Sequence, residues 1–154
     1  MMEKKEKKQK PKAEAPMLID ATGAVVGRLS AVVAKKSLNG AKIDIVNIEK
    51  AIMTGRPSKI IERYQKRRHM TQKSNPEEAA KWPRRPDYLF KTILKGMLPK
   101  RTSRTKDALG RVMAYIGVPA QFEGKPAEKF AKKEAAAGIT MQKLSRELGW
   151  VANK

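Results

Sequence analysis

The chain contains no cysteine. Disulfides, thiolate zinc sites and cysteine nucleophiles are therefore excluded, and the composition fits a reducing compartment. Histidine is nearly absent as well: His69 stands alone, inside Lys66-Arg67-Arg68-His69-Met70. Neighbouring cations oppose its protonation, and no thiol or carboxylate pair flanks it. Neither a metal site nor a catalytic triad is expected there, and His69 reads as a polar surface residue. Carboxylates are scarce. The core stretch holds Asp20, Asp44, Glu49, Glu62, Glu77, Glu78, Asp87 and Asp107, with no shielded pair suited to general acid–base work. Long apolar runs are missing too, so nothing approaches the roughly 20 residues that span a bilayer. The charged start Glu3-Lys4-Lys5-Glu6-Lys7-Lys8 leads into no apolar stretch, so no secretory signal is expected and a cytoplasmic protein is.

What the chain does have is positive charge. It carries 35 Lys and Arg against 15 Asp and Glu, a formal +20 over 154 residues. Residues 56–106 alone hold sixteen of the cations and four of the anions, a net +12. This block is no simple tail, because apolar residues at helical spacing run through Tyr88-Leu89-Phe90-Lys91-Thr92-Ile93-Leu94-Lys95-Gly96-Met97-Leu98-Pro99. A folded surface this basic calls for a polyanion, with RNA or DNA first among candidates. The 40% apolar fraction suffices for a core, and the length fits one domain with short appendages.

Residues 1–16 lack apolar periodicity and read as a flexible Lys/Glu tail, or as a basic arm that orders on nucleic acid. The fold begins with a strand at 17–21. A helical stripe of Val25, Val26, Leu29, Val32 and Val33 follows, and Asn39-Gly40 stops it. The β-branched run 42–48 is a second, buried strand. Strand, helix and strand within about 30 residues make a βαβ unit and so a parallel sheet. A short strand is expected at 51–53 and a helix from Pro57. Residues 70–87 read as a loop broken by prolines, and a helix over 88–98 presents Phe90, Ile93, Leu94 and Met97 on one face. A basic connector over 100–106, a helical turn at 107–111 and a strand at 112–116 complete the core. An Ala-rich helix at 126–137 and a last helix capped by Thr140, with Ile139 and Leu144 as a hydrophobic staple, are expected beyond it.

Two stretches carry candidate chemistry. Asp20-Ala21-Thr22-Gly23 precedes a helix, a geometry that can cradle a phosphate. Yet Gly27-Arg28-Leu29 lacks the Gly-Lys-Ser/Thr end of a P-loop, and only two glycines stand where a dinucleotide fingerprint needs three. The other stretch is the basic block. Its arginines suit phosphate recognition because a planar guanidinium donates two bonds at once. If about eight phosphates are neutralised, log affinity falls with log salt at a slope of about −6 to −7. With few aromatics, most of them expected to be buried, folded RNA shape is a better target than a stacked single strand.

Asp20-Ala21-Thr22-Gly23, Gly27-Arg28-Leu29, Val46-Asn47, Glu49-Lys50-Ala51, Thr54-Gly55, Arg84-Arg85-Pro86, Lys95-Gly96-Met97-Leu98-Pro99 and Tyr115-x-Gly117 occur in that order. In this the chain resembles the universal large-subunit ribosomal protein L-thirteen family, over about residues 17–118. Thr105 stands where that family's signature carries Gly or Ser. The resemblance implies an α/β fold, a three-layer α/β/α sandwich on a four-stranded parallel sheet. It also implies a structural protein of the large ribosomal subunit that binds its RNA and supports early assembly, without catalysis or cofactor. The tail before Met17 and the helical extension over 119–154 resemble an archaeal or eukaryotic-type member. The expected RNA-binding residues are Arg28 on the first helix and Arg56, Lys59, Arg63, Lys66, Arg67 and Arg68 on the second. Arg84 and Arg85 in the loop, Lys91 and Lys95 on the apolar helix, and Lys100, Arg101, Arg104 and Lys106 in the connector complete the set. Leu148 and Trp150 are the expected contact with a neighbouring ribosomal protein. The competing readings are a small nucleotide-binding enzyme that uses the Gly23 turn, and a regulator that binds messenger RNA or DNA.

Overall fold

The computed structural model describes residues 16–70, 74–75, 77, 81–100, 102–131 and 137–151. The expected tail therefore lies almost wholly outside the described residues, as does Arg101.

Strand β1 (Met17–Asp20) pairs in parallel with β2 (Ile43–Val46), with Met17 opposite Ile43. Helix α1 (Val26–Leu38) joins them. It ends as the sequence requires: Gly40 takes a φ of 105°, and its N–H and that of Ala41 bond back to Ser37 and Lys36. A residue with a Cβ adopts that left-handed turn only at a cost. Strand β4 (Val112–Ala114) adds in parallel to the outer side of β2.

The fourth place in the sheet departs from expectation. Strand β3 (Ile52–Thr54) does not join it but pairs antiparallel with β6 (Gly138–Thr140). The fourth parallel strand is β5 (Glu128–Lys129), beside β1, giving the order β4-β2-β1-β5. These residues were expected in the Ala-rich helix, whose part over 132–136 lies outside the described residues. The alanines suggest helix, but pairing with the open edge of β1 satisfies backbone groups that a solvated helix would not. Propensity is the weaker influence.

Helices α2 (Pro57–His69) and α3 (Pro86–Met97) both start on a proline, whose missing N–H costs nothing at that position. Helix α3 therefore begins two residues earlier than the apolar pattern indicated. Its buried face is Leu89, Phe90 and Leu94, while Met97 points out at 44% exposure. The basic connector turns helical early, as α4 (Ser103–Gly110). Thr105 accounts for its own departure from the signature: it is buried, and its hydroxyl donates to the Pro99 carbonyl and meets Thr102 Oγ1 at 3.0 Å.

Helices α1, α3 and α4 pack together, and their apolar side chains share one core with Ile19, Ile43, Ile45 and Val112 of the sheet. On the other face Leu18 and Val46 line a shallow cleft with Val118 and Phe122. A 3-10 turn at Ala120–Phe122 sets Phe122 edge-on to Tyr115, with ring centroids 5.4 Å apart.

The last helix, α5 (Met141–Glu147), belongs to the core. Ile139, Met141, Leu144 and Leu148 are all at most 3% exposed. Burial on this scale stabilises by roughly 1.5–3 kcal/mol per side chain, whereas a seven-residue helix would not form alone. The Thr140 cap is present, its Oγ1 accepting from the Lys143 N–H at 3.3 Å, and both staple residues are buried. Leu148 is thus unavailable to a protein neighbour, contrary to expectation, because its side chain fills the chain's own core. Trp150 is half-buried.

Gly138 makes this arrangement possible. A Cβ there would stand 2.3 Å from the Met53 carbonyl oxygen, a backbone atom that cannot swing away. We predict that Gly138→Ala lowers stability by about 1–3 kcal/mol through overpacking. Urea unfolding followed by tryptophan fluorescence measures it; an unchanged midpoint would mean that β6 does not lie against β3 as described.

Candidate nucleic-acid interface

Several of the residues behind the resemblance converge on one corner of the fold. Asp20 Oδ1 accepts from the Thr22 N–H at 3.0 Å, the Thr22 hydroxyl at 2.7 Å and Asn47 Nδ2 at 3.1 Å. Burial pushes the Asp20 pKa up, but the Thr22 and Asn47 bonds and the Lys50 charge outweigh it and hold it below the ordinary value. Asn47 sits at φ 55°, a strained backbone that its bond to Asp20 helps to fix. Its N–H bonds to Gly117 O, and buried Glu49 accepts from the Gly117 N–H at 3.1 Å. These motif residues tie the carboxyl ends of the strands together.

The same contacts bear on the phosphate cradle. The Thr22 N–H serves Asp20, that of Gly23 bonds to Lys50 O, and that of Ala24 to Ala21 O. All three donors of the turn are occupied, and a carboxylate stands beside them. An anion would find the N–H groups of the turn taken and a carboxylate beside them.

The basic residues divide by whether the protein itself supplies a partner, although Lys59, Arg84, Arg85 and Arg104 stay exposed in either case. Several are committed within the protein. Arg68 donates to the Leu148 carbonyl, and Arg84 reaches the Gly149 carbonyl at 3.4 Å. Both sit at the C-terminal end of α5. Arg104 reaches Leu38 O and Arg111 reaches Ser37 O, each at 3.4 Å, at the C-terminal end of α1. A helix C-terminus is its negative end and offers unpaired carbonyls. Four arginines thus take backbone oxygens where the sequence has too few carboxylates. Arg67 uses aromatic faces instead, lying 5.5 Å from the Tyr64 centroid and 4.8 Å from that of Trp82. The two rings meet edge-on at 6.0 Å. Burial raises the Tyr64 pKa despite Arg67 and Arg63, so the phenol stays neutral. Arg85 forks onto Asp87, Nε to Oδ1 at 3.2 Å and Nη2 to Oδ2 at 2.9 Å, and lies 5.2 Å from the Tyr88 centroid. Lys59 pairs with Glu62 at 3.0 Å, fully in solvent.

The others face water. Arg28 on α1, Arg56 at the start of α2, Arg63 and Lys66 along it, Lys95 near the end of α3, Lys100 beyond it and Lys106 on α4 are all exposed. None of them has an ion-pair partner among the described residues. Lys91 is half-buried, with its ammonium 3.4 Å from Met113 Sδ. His69 is exposed, and its Nδ1 donates to Gln65 O at 2.8 Å. Among the described residues no group of His, Cys, Asp or Glu could hold a metal ion, and no helix is long and apolar enough to cross a membrane.

Two features escaped the sequence reading. Arg111 was not among the candidates, because its role depends on where α1 ends. Tyr88, 53% exposed, was not singled out from the aromatics, most of which were expected to be buried. Its helical partners Thr92 and Lys95, four and seven residues on, are polar and could have shown that this side of α3 faces outward.

Because Arg68 holds a helix end, its removal acts on folding. We expect Arg68→Ala to lower the stability of the free protein by about 1–2 kcal/mol and Arg63→Ala to change it by less than about 0.5 kcal/mol. Urea midpoints of the two variants test this. Equal midpoints would remove the capping role from Arg68.

The family model for ribosomal protein L13 matches residues 14–121. The chain is 39% identical over 140 residues to the large ribosomal subunit protein uL13 of Methanopyrus kandleri, covering 86% of each. It is 36% identical over 139 residues to uL13 of Archaeoglobus fulgidus, covering 86% of this chain and 87% of that protein. With uL13 of Methanococcus maripaludis it shares 41% identity over 104 residues, 67% of this chain and 76% of the relative.

Proposed function

Since the chain belongs to the ribosomal protein L13 family, we propose that it is a structural constituent of the large ribosomal subunit in the cytoplasm. It binds large-subunit ribosomal RNA, supports early assembly and performs no catalysis. The observation that carries this is the imbalance of charge. The chain has a net +20, and the described residues hold only two side-chain ion pairs. A surface left that positive is complementary to a phosphate backbone.

The exposed cations are the RNA ligands: Arg28, Arg56, Arg63, Lys66, Lys95, Lys100 and Lys106, with Arg101 the further candidate from the sequence. Arg67, Arg68, Arg84, Arg85 and Arg104 have a second task, because each also holds part of the fold. Lys59 and Lys91 contribute through the face they lie on. Trp150 and Val151, the latter 80% exposed, are the surface left for a neighbouring ribosomal protein once Leu148 is in the core. The nucleotide-enzyme reading is the weaker one, because the N–H groups of the Gly23 turn are already bonded and the Asp20 carboxylate stands beside them.

Filter binding of the purified, nucleic-acid-free protein to transcribed large-subunit ribosomal RNA tests this reading. Replacing Arg28, Arg56 and Arg63 together by Ala should weaken binding and reduce the magnitude of the log–log salt slope by about 2–3. The unfolding midpoint of the free protein should be nearly unchanged. An unaltered slope would dismiss these three residues as phosphate ligands. Failure of the wild-type protein to bind this RNA at low salt would dismiss the function.

A further inference from the structure

The described residues leave one aromatic ring largely open. Tyr64 is buried, and Trp82, Tyr115 and Phe122 are partly covered, whereas Tyr88 is 53% exposed. Its neighbours Leu89 and Phe90 are fully buried, so the core of α3 is complete without it. About half of the Tyr88 surface is thus open to a partner.

The cation beside it is unusually well held. The Asp87 carboxylate, only 13% exposed, grips Arg85 through two bonds, while the Arg85 side chain remains 54% exposed. Asp87 lies in the first turn of α3, where a negative charge is stabilised by the helix dipole. The fork orients the guanidinium against Tyr88, 5.2 Å from its centroid. A long side chain that would otherwise lose entropy on binding is thereby pre-oriented. Two of its five N–H groups are used in the fork, which leaves others for an incoming acceptor. Further along the same side of the helix, about 10 Å from Tyr88 by helical rise, stands the exposed Lys95.

We propose that Arg85 and Tyr88 form a stacking platform for one unpaired base of the bound RNA, with Lys95 contacting an adjacent phosphate. The inference rests on the RNA-binding reading above and assigns to it a contact of a different kind. A flat π-face beside a planar cation is what a nucleobase stacks on. Paired bases hide their faces inside the duplex, so the target is a bulged, looped or flipped nucleotide. Arg85 at the ring, with Lys91 and Lys95 further along the helix, favours a polyanion over an apolar protein side chain as the occupant.

The test uses the full chain and transcribed large-subunit ribosomal RNA, with Tyr88→Ala and Tyr88→Phe. Loss of one stacked base corresponds to about a tenfold to hundredfold weakening. Tyr88→Ala should show a weakening of that size with the salt slope unchanged, because no charge is lost. Tyr88→Phe should bind like the wild type, because the ring suffices. Ultraviolet cross-linking with mass spectrometry should join Tyr88 to a single nucleotide. Wild-type affinity in Tyr88→Ala, an equal loss in Tyr88→Phe, or a cross-link from Tyr88 to a protein in the assembled subunit would each overturn the proposal. If Tyr88→Ala is silent while the triple arginine variant is impaired, RNA binding stands and the stacking platform falls. If the wild-type protein binds no RNA, both fall.

Discussion

The structure is governed by the repulsion among cations that have too few carboxylates to pair with. In a domain with balanced charge, surface cations find anions at helical spacing or across a loop. Here the described residues offer two such pairs, one of them fully solvated. The fold meets the shortage with weaker partners. Arg68 and Arg84 go to the carbonyls that end α5, Arg104 and Arg111 to those that end α1, and Arg67 to two aromatic rings. A carbonyl at a helix end carries a fraction of a charge, so each contact is worth less than a buried ion pair yet leaves no buried charge unpaired. The cations beyond those places remain in water, where a polyanion can reach them.

This division links fold to function. Arginines that hold helix ends are connected through those helices to the core, so an RNA that also contacts them would grip the framework of the protein. One of those helices, α5, is itself joined to the core by Leu144 and Leu148. The family motifs do a separate job. Asp20, Asn47, Glu49 and Gly117 lock the carboxyl ends of the strands, using a strained Asn47 backbone and a carboxylate held ionised by its bonds. They hold the scaffold on which the basic elements are mounted.

Much of this was legible in the sequence. The βαβ start, the Asn39-Gly40 stop, the Pro57 helix and the Thr140 cap rest on local rules, and local rules were obeyed. The failures share a physical origin in contacts distant along the chain. The residues at 52–54 have strand character, but their pairing with β6 and not with the main sheet depends on a distant residue, Gly138, where there is room for no side chain. Glu128 and Lys129 carry no strand signal and are recruited by the open edge of β1. For the interface, charge located the basic elements. It did not reveal which arginines would be claimed by helix ends, because that depends on where α1 and α5 stop in space. Nor did it separate exposed Tyr88 from the buried aromatics, although Thr92 and Lys95 were there to mark the outward side.

The central claim is that charge in the free protein is, on balance, unrelieved and waits for an external polyanion. Urea unfolding of the full chain without RNA tests it most directly, at about 0.05 M and about 0.5 M KCl, between which the screening length falls from about 14 Å to about 4 Å. If net repulsion dominates, the unfolding midpoint rises with salt while the slope of the transition is unchanged. A midpoint that stays level or falls would show that internal charge contacts already balance the chain, and would contradict the account.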